Sequence, residues 1–485
     1  MLQSKGKIAR KEILLIVSWS VFLLCASFTA AHGQTLKTRI TVSSSSPALV
    51  RIDAESIKPV QSWSFRNAYA GVLGLGERIE RLDAVGDRGE TVPVRKIAAG
   101  EFRSTVRVAK FGYSVNLPRS AHSNEMSHAS WLLDGYGFLM LADLLPQTAD
   151  EKGVLVEFDL PAGWTIGSAL EPNEKNQYLV KESDRAVFFV GSSLRKTEKT
   201  VASMEVRLVA SGEWPFSDTE VLKAATNVVK KYFEVTGFRL RETSVVMLAP
   251  MPLSAGHEQW KAETRGSCVM LLMSPRVSSK NWIAQLGVIF THEILHLWVP
   301  NSLRLEGDYD WFFEGFTLYE ALLTALDLKL INFQEYLDTI ARVYDSYLSY
   351  PDNLTLIEAS EQRWSSLSPI VYDKGMLVAF MYDLTARHES NSKNTLADRY
   401  RLLFNLHTPE RANSNQVIIN LLRTSPATND FARSYIESRA AIKLERFLPA
   451  FGLEIDASGQ NTHLIVNKQL NQEQQRLLRS LGYRH

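Results

Sequence analysis

Cysteine is almost absent from this 485-residue chain, which has only Cys25 and Cys268. Cys25 falls in an apolar N-terminal run, so the rest of the chain holds one thiol and no intrachain disulfide can form. A closed, cysteine-rich structural metal site is disfavoured on the same count. An excess of charge is missing too. Lys and Arg number 54 against 53 Asp and Glu, a net +1, and nothing in that balance points to a nucleic-acid surface. There is no internal repeat and no low-complexity linker. What remains is 45% hydrophobic and 22% charged, an ordinary globular composition, and too long for one small core. Two or three domains are expected.

The first 33 residues stand apart. Lys5, Lys7, Arg10 and Lys11 precede an apolar run from Ile13 to Phe28, and small residues lead to Ala31-His32-Gly33, a cleavage site before Gln34. This is the layout of a secretory signal peptide, so the protein is expected to be exported, periplasmic or extracellular. Removal takes away four positive charges and one negative, turning +1 into −2. The alternative is an uncleaved anchor, because the run approaches membrane-spanning length. Phe22-Leu23-Leu24 lacks the small residue expected before a lipoprotein cysteine, so Cys25 reads as part of the run. Cys268 reads as a buried strand residue.

The fold class expected is α+β. Residues 34–213 carry short segments rich in β-branched and aromatic residues, such as "STVRVAKFGYSVNL" and "RAVFFVGSS", separated by turn formers. An N-terminal antiparallel β-sandwich fits them. His122 and His128, six apart in a polar stretch, read as loop residues rather than paired ligands. From Trp214 the period becomes helical: residues 218–237 form an amphipathic pattern with Ser217 or Asp218 as cap and Gly237 as terminator. Residues 214–325 are expected to make a mixed subdomain and 326–452 a helical part, with Asn332 and Glu335 spelling a capping box. Residues 453–485 read as a hairpin and a basic tail.

"THEILHLWVP", residues 291–300, contains the pattern that carries chemistry. On a helix His292 and His296 lie one turn apart on one face, about 6 Å, so both imidazoles can reach one zinc ion. Glu293 is rotated about 100° from His292, which sets it beside the metal, where it can take a proton from an activated water. By chance the pattern would arise on the order of once or twice in a hundred proteins of this length. Further residues are therefore needed. A metzincin extension would require Gly at 299 and His at 302, where Val299 and Ser302 stand. Glu314, in "WFFEGFTLYE", is the third ligand expected: its neighbours Trp311, Phe312, Phe313 and Phe316 are bulky and apolar, and a carboxylate among them needs a strong partner.

"HEILHLW", "WFFEGFTLYE" and "VYDKGMLVAFMYDLTAR" together resemble the gluzincins, specifically the glycyl-aminopeptidases of metallopeptidase family 61. "LPAGWTIGSAL" is similar to a stretch of that family's N-terminal β domain, and "TLIEASEQRW" to the segment before its catalytic tyrosine. The likeness spans most of residues 40–390. It implies a β-sandwich before a thermolysin-like domain with a helical C-terminal part, one Zn2+ per chain and peptide substrates. At matched positions it implies His292, His296 and Glu314 as ligands, Glu293 as base and Tyr372 as the phenol that supports the oxyanion.

Two departures bear on substrate choice. Where the family has Gly-Gly before a glutamate that holds the substrate's free amine, this chain has Trp260 and Lys261 before Glu263. Glu263 is thus a substrate-binding candidate, and an endopeptidase is the alternative to an aminopeptidase. Many relatives carry a C-terminal PDZ module, and this chain ends too soon to hold one. A peptide-binding protein on an inactive fold is a further alternative, set against five intact site residues. Leu318 stands where thermolysin-like sites often place an acid that orients a zinc histidine, leaving Asp310, Thr317 and Glu320 as substitutes.

Overall fold

The computed structural model describes residues 36–484 apart from 47, 119–125, 148–152, 252–259, 275–281, 352–353, 365–367, 407–411 and 457–458. The expected signal segment 1–33 and His122 lie outside the described residues.

The N-terminal domain is built on two long strands, Ala48–Ser64 and Glu101–Asn116, paired antiparallel. Along the first, Val50, Ile52 and Ala54 are buried while Asp53 and Glu55, at the alternate positions, are exposed, the two-residue period of a half-covered sheet. An eight-stranded sheet forms around this pair. A four-stranded sheet, Thr165–Gly167, Val187–Gly191, Tyr136–Met140 and Trp131–Leu133, closes over it. Ile40, Ile52 and Val115 of one sheet share a core with Leu139, Phe188 and Val190 of the other. The expected sandwich is present with one correction: Leu36–Ser45 pairs in parallel with Val154–Asp159.

A second correction concerns where that domain stops. Strand-like composition assigns everything up to residue 213 to the N-terminal domain. In the structure Arg195–Val201 and Met204–Ala210 belong to a different sheet, ordered with Ser244–Pro250, Cys268–Met273 and Trp260–Arg265. Composition reveals a strand but not its hydrogen-bonding partner. The central strands are buried on both faces, as parallel strands between two layers must be. Val246, Leu248 and Leu271 face the helices Asp218–Thr236 and Trp282–Leu295, meeting Val229, Phe290 and Ile294. Val245, Met247, Cys268 and Met270 face the four-stranded sheet, against Trp131, Phe138 and Phe189. Cys268 is therefore packed between the domains. Trp260–Arg265 is the terminal strand of its sheet.

Local signals decide the helix ends. Ser217 and Glu220 form a reciprocal capping box, and Gly237 closes that helix at φ 69°, a left-handed position glycine adopts without strain. Asn332 and Glu335 cap Phe333–Leu348 in the same way. The helix Ser368–Glu389 crosses the segment Trp311–Phe316 where two glycines meet. A Cβ on Gly315 would lie 2.4 Å from Gly375 Cα, so the backbones themselves are in contact. At the C-terminus Leu453–Asp456 and His463–Val466 form the hairpin. The basic stretch after it is a helix, Gln472–Ser480, that buries Leu477 and Leu478 in the main core. No helix among the described residues is long and apolar enough to cross a membrane.

Candidate metal centre

Leu286, Phe290, Ile294 and Leu295 hold the helix Trp282–Leu295 in the core, which turns His292 and the following His296 toward the helical part and leaves Glu293 beside the strand Trp260–Arg265. Glu314 arrives from a π-helical turn, Trp311–Phe316. Such turns insert a residue into a helix, re-aim the side chains after it and occur frequently at functional sites. The two imidazole Nε2 atoms are 3.0 Å apart, and Glu314 Oε2 lies 3.3 Å from one and 3.4 Å from the other. Tetrahedral zinc with bonds of about 2.0–2.1 Å separates its ligands by roughly 3.3–3.4 Å. The triangle fits zinc, and the sequence-predicted ligands converge on one point.

Each ligand is held from behind. His296 Nδ1 donates to the carbonyl of Val299 at 2.8 Å, which leaves Nε2 with its lone pair for a metal. Thr317 Oγ1 is 3.4 Å from His292 Nδ1; its own proton goes to the carbonyls of Phe313 and Glu314, so toward the imidazole it accepts. Thr317 is thus the orienting residue among the three substitutes. Asp310 instead binds Arg363, and Glu320 lies in the charge environment of Asp383, Lys231 and Arg387.

The electrostatics suit a metal. Burial alone would raise the Glu314 carboxyl, but Arg363 and the two histidines outweigh it and hold the group well below the usual carboxylate range. Burial lowers His296, and the Glu314 charge overrides this, raising the imidazole to about 9. Without metal a proton occupies that position, so metal binding at neutral pH must release it. Glu293 is raised by burial, with the histidines opposing.

Glu293 faces the terminal strand. Thr264 Oγ1 lies 2.8 Å from its Oε2 and 2.7 Å from its backbone carbonyl. Tyr372, on the helix Ser368–Glu389, is half-buried; burial raises its phenol, and the charges of Glu314 and Glu293 act in the same direction. The sequence-predicted base and phenol therefore flank the ligand triangle from opposite elements.

Arg363 was legible in the motif "TLIEASEQRW" but carried no signal there that set it apart from a surface arginine. In the structure it reaches Asp310, Glu314 and Tyr372. His128 reads from the sequence as a loop residue rather than a ligand paired with His122. It lies in a turn, but its Nδ1 contacts Glu263 Oε2, while Arg265 Nη2 sits 3.4 Å from Glu263 Oε1. Arg265 is itself buried and lies 4.6 Å from the centroid of the Tyr69 ring. The N-terminal domain thus supplies His128 and Tyr69 to the edge that carries Glu263, whose charge is close enough to raise Glu293.

No protein-family model and no curated protein matches the chain. Solved structures do. An aminopeptidase N family protein from Idiomarina loihiensis aligns with a TM-score of 0.74 at 18% identity, over 87% of this chain and 79% of that one. The M1 zinc metallopeptidase of Deinococcus radiodurans aligns at 0.53 and 15%, over 85% of this chain and 95% of that one. A variant of the latter, bound to a Tyr-Ser-Ala substrate, aligns at 0.54 and 15% over the same shares. At such identities the likeness concerns architecture: this chain has the M1 aminopeptidase-like fold, an N-terminal sheet domain followed by a mixed domain with a helical C-terminal part.

Proposed function

We propose that the protein is an exported zinc metallopeptidase of the aminopeptidase kind, nearest in its motifs to the glycyl-aminopeptidases. The observation that carries this is the set of three donors at zinc spacing with Glu293 and Tyr372 on either side. Zinc, when bound, supplies Lewis acidity that polarises a carbonyl and makes water acidic at neutral pH. Glu293, kept basic and buried, accepts the proton of the attacking water and returns it to the departing amine. Thr264 orients that carboxylate through Oε2. The Tyr372 hydroxyl donates toward the oxygen on which negative charge develops. A substrate in extended form can add to the terminal strand Trp260–Arg265, which puts its N-terminus within reach of Glu263.

An endopeptidase is the second reading, favoured by one observation: both Glu263 oxygens already have cationic or protonatable neighbours, His128 and Arg265. Elemental analysis combined with hydrolysis of one peptide, free and N-acetylated, tests both. One zinc per chain with preference for the free peptide supports the first reading. Equal cleavage at an internal bond supports the second. Absence of metal after zinc-replete expression removes both.

A further inference from the structure

Arg363 lies in the turn after the short helix Leu356–Glu361, far along the chain from the metal ligands, yet its guanidinium meets three groups of the site. Nη2 is 2.6 Å from Glu314 Oε1 and 3.0 Å from the Tyr372 hydroxyl, and Nη1 is 2.5 Å from Asp310 Oδ1. The group lies against the rings of Phe313, 5.2 Å from its centroid, and Trp364, at 4.8 Å. Its side chain is 17% exposed.

We propose that Arg363 is a positioning residue with two linked effects: it confines Glu314 to one-oxygen contact with the metal, and it leaves the Tyr372 proton to be donated to substrate. This rests on the peptidase reading above. For the first effect, a carboxylate offers two oxygens. Glu314 Oε2 faces both histidines, while Oε1 is engaged by Arg363. Without that charge-assisted bond Oε1 is free to swing to the metal beside Oε2, which would add a fifth donor and crowd the position that water needs.

The second effect follows from donor counting. Arginine only donates, so in its contact with Tyr372 the phenol oxygen must accept. The single phenol proton is then left to donate elsewhere. A hydroxyl that accepts from a cation is also a stronger donor, which is what a developing oxyanion requires. The planar fork matters, because Nη1 and Nη2 serve different acceptors at once; a lysine can match the charge but not that geometry. Both amino nitrogens are committed to protein acceptors, so Arg363 acts through Glu314 and Tyr372 rather than by touching substrate.

The test uses the full zinc-loaded protein with Arg363→Ala and Arg363→Lys, each in the wild-type and Tyr372→Phe backgrounds, and the cobalt(II)-substituted forms of the same proteins. If Ala fails to fold, Lys carries the test, since it keeps the charge and removes only the fork. Expected is a fall in kcat of roughly a hundredfold with KM little changed, comparable to losing one oxyanion donor. In the Tyr372→Phe background the same change should cost only a few-fold further. The visible absorption of the cobalt form should weaken in both Arg363 variants, because five-coordinate cobalt absorbs less than four-coordinate cobalt. Equal losses in the two backgrounds overturn the proposal, as does an unchanged cobalt spectrum. A raised KM at constant kcat also overturns it and makes Arg363 a substrate contact. A wild-type protein that binds metal but cleaves no peptide fails the peptidase reading instead, and the cobalt spectra then judge Arg363 alone.

Discussion

Glu320→Gln should make the protein more stable, and increasingly so as the pH rises. Glu320 sits on the helix Thr317–Asp327, is 3% exposed, and its Oε2 is buried with no hydrogen-bond partner among the described residues. Burial raises its carboxyl from the ordinary 4.5 to about 8, with Asp383 adding to the shift and Lys231 and Arg387 opposing it. Below pH 4.5 folded and unfolded chains both carry the proton, and the residue is neutral in the balance. Between 4.5 and 8 the unfolded chain ionises while the folded one does not, so stability falls as pH rises, by about 1.4 kcal/mol per pH unit. Across the window the loss is about 5 kcal/mol, of which about 3 kcal/mol has accrued by pH 7. Above 8 both states are ionised and the loss stays constant. Glutamine cannot ionise, and the difference between variant and wild type should trace that curve as an upper bound. Urea midpoints of the zinc-saturated proteins at pH 5.5, 7.0 and 8.5 measure it, because the metal's own pH dependence cancels in the comparison. Parallel stability curves for the two proteins would refute the reasoning.

Glu293→Gln should keep zinc and lose activity by several orders of magnitude, since an amide cannot accept the proton; metal analysis beside kcat distinguishes this from ligand loss. Glu314→Gln should instead weaken zinc binding by at least the roughly ten- to hundred-fold typical of losing an outer-sphere partner, as read by chelator competition. If Glu263 holds a substrate ammonium, acetylating the peptide should cost about 1.5–3 kcal/mol, a drop of about ten- to two-hundred-fold in kcat/KM, and Glu263→Ala should erase the difference. His128→Ala removes a competitor for the same carboxylate, and the preference for free over blocked peptide should widen; no change would show that the contact has no bearing on substrate choice. Gly375→Ala places a Cβ 2.9 Å from Gly315 Cα and from the Trp311 carbonyl, so turnover should fall with Tyr372 displaced, and wild-type kcat in a folded variant would contradict this.

How much of this was legible depended on sequence separation. His292, Glu293 and His296 share one helix, and a helix converts spacing into geometry without help from the rest of the fold. Glu314 could be found because its apolar neighbours left a buried carboxylate needing a partner. Ser217 and Asn332 announced their helices through side chains three residues away. The failures are non-local. Nothing in "RKTEKTV" or "MEVRLVA" states that these strands pair with each other, and the second with Ser244–Pro250, rather than with the sandwich. His128 meets Glu263 across 135 positions, and Arg363 meets Glu314 across 49, on segments whose own composition is that of a polar surface. Thr317 was one of three substitutes until the π-helical turn fixed which side chain faced His292.

The bare crossing of Gly315 on Gly375 has a mechanical meaning. Glu314 precedes one glycine by a single residue and Tyr372 precedes the other by one helical turn. With main chain resting on main chain, the spacing of the two backbones that carry Glu314 and Tyr372 is set by two rods in contact, with no side chain between them to tune it. Those two residues therefore travel as one body. Glu263 and Thr264 ride instead on the terminal strand of the sheet, outside that crossing. A substitution on the strand edge that carries Glu263 can therefore alter breadth of substrate while the ruler that spaces Glu314 from Tyr372 keeps its length.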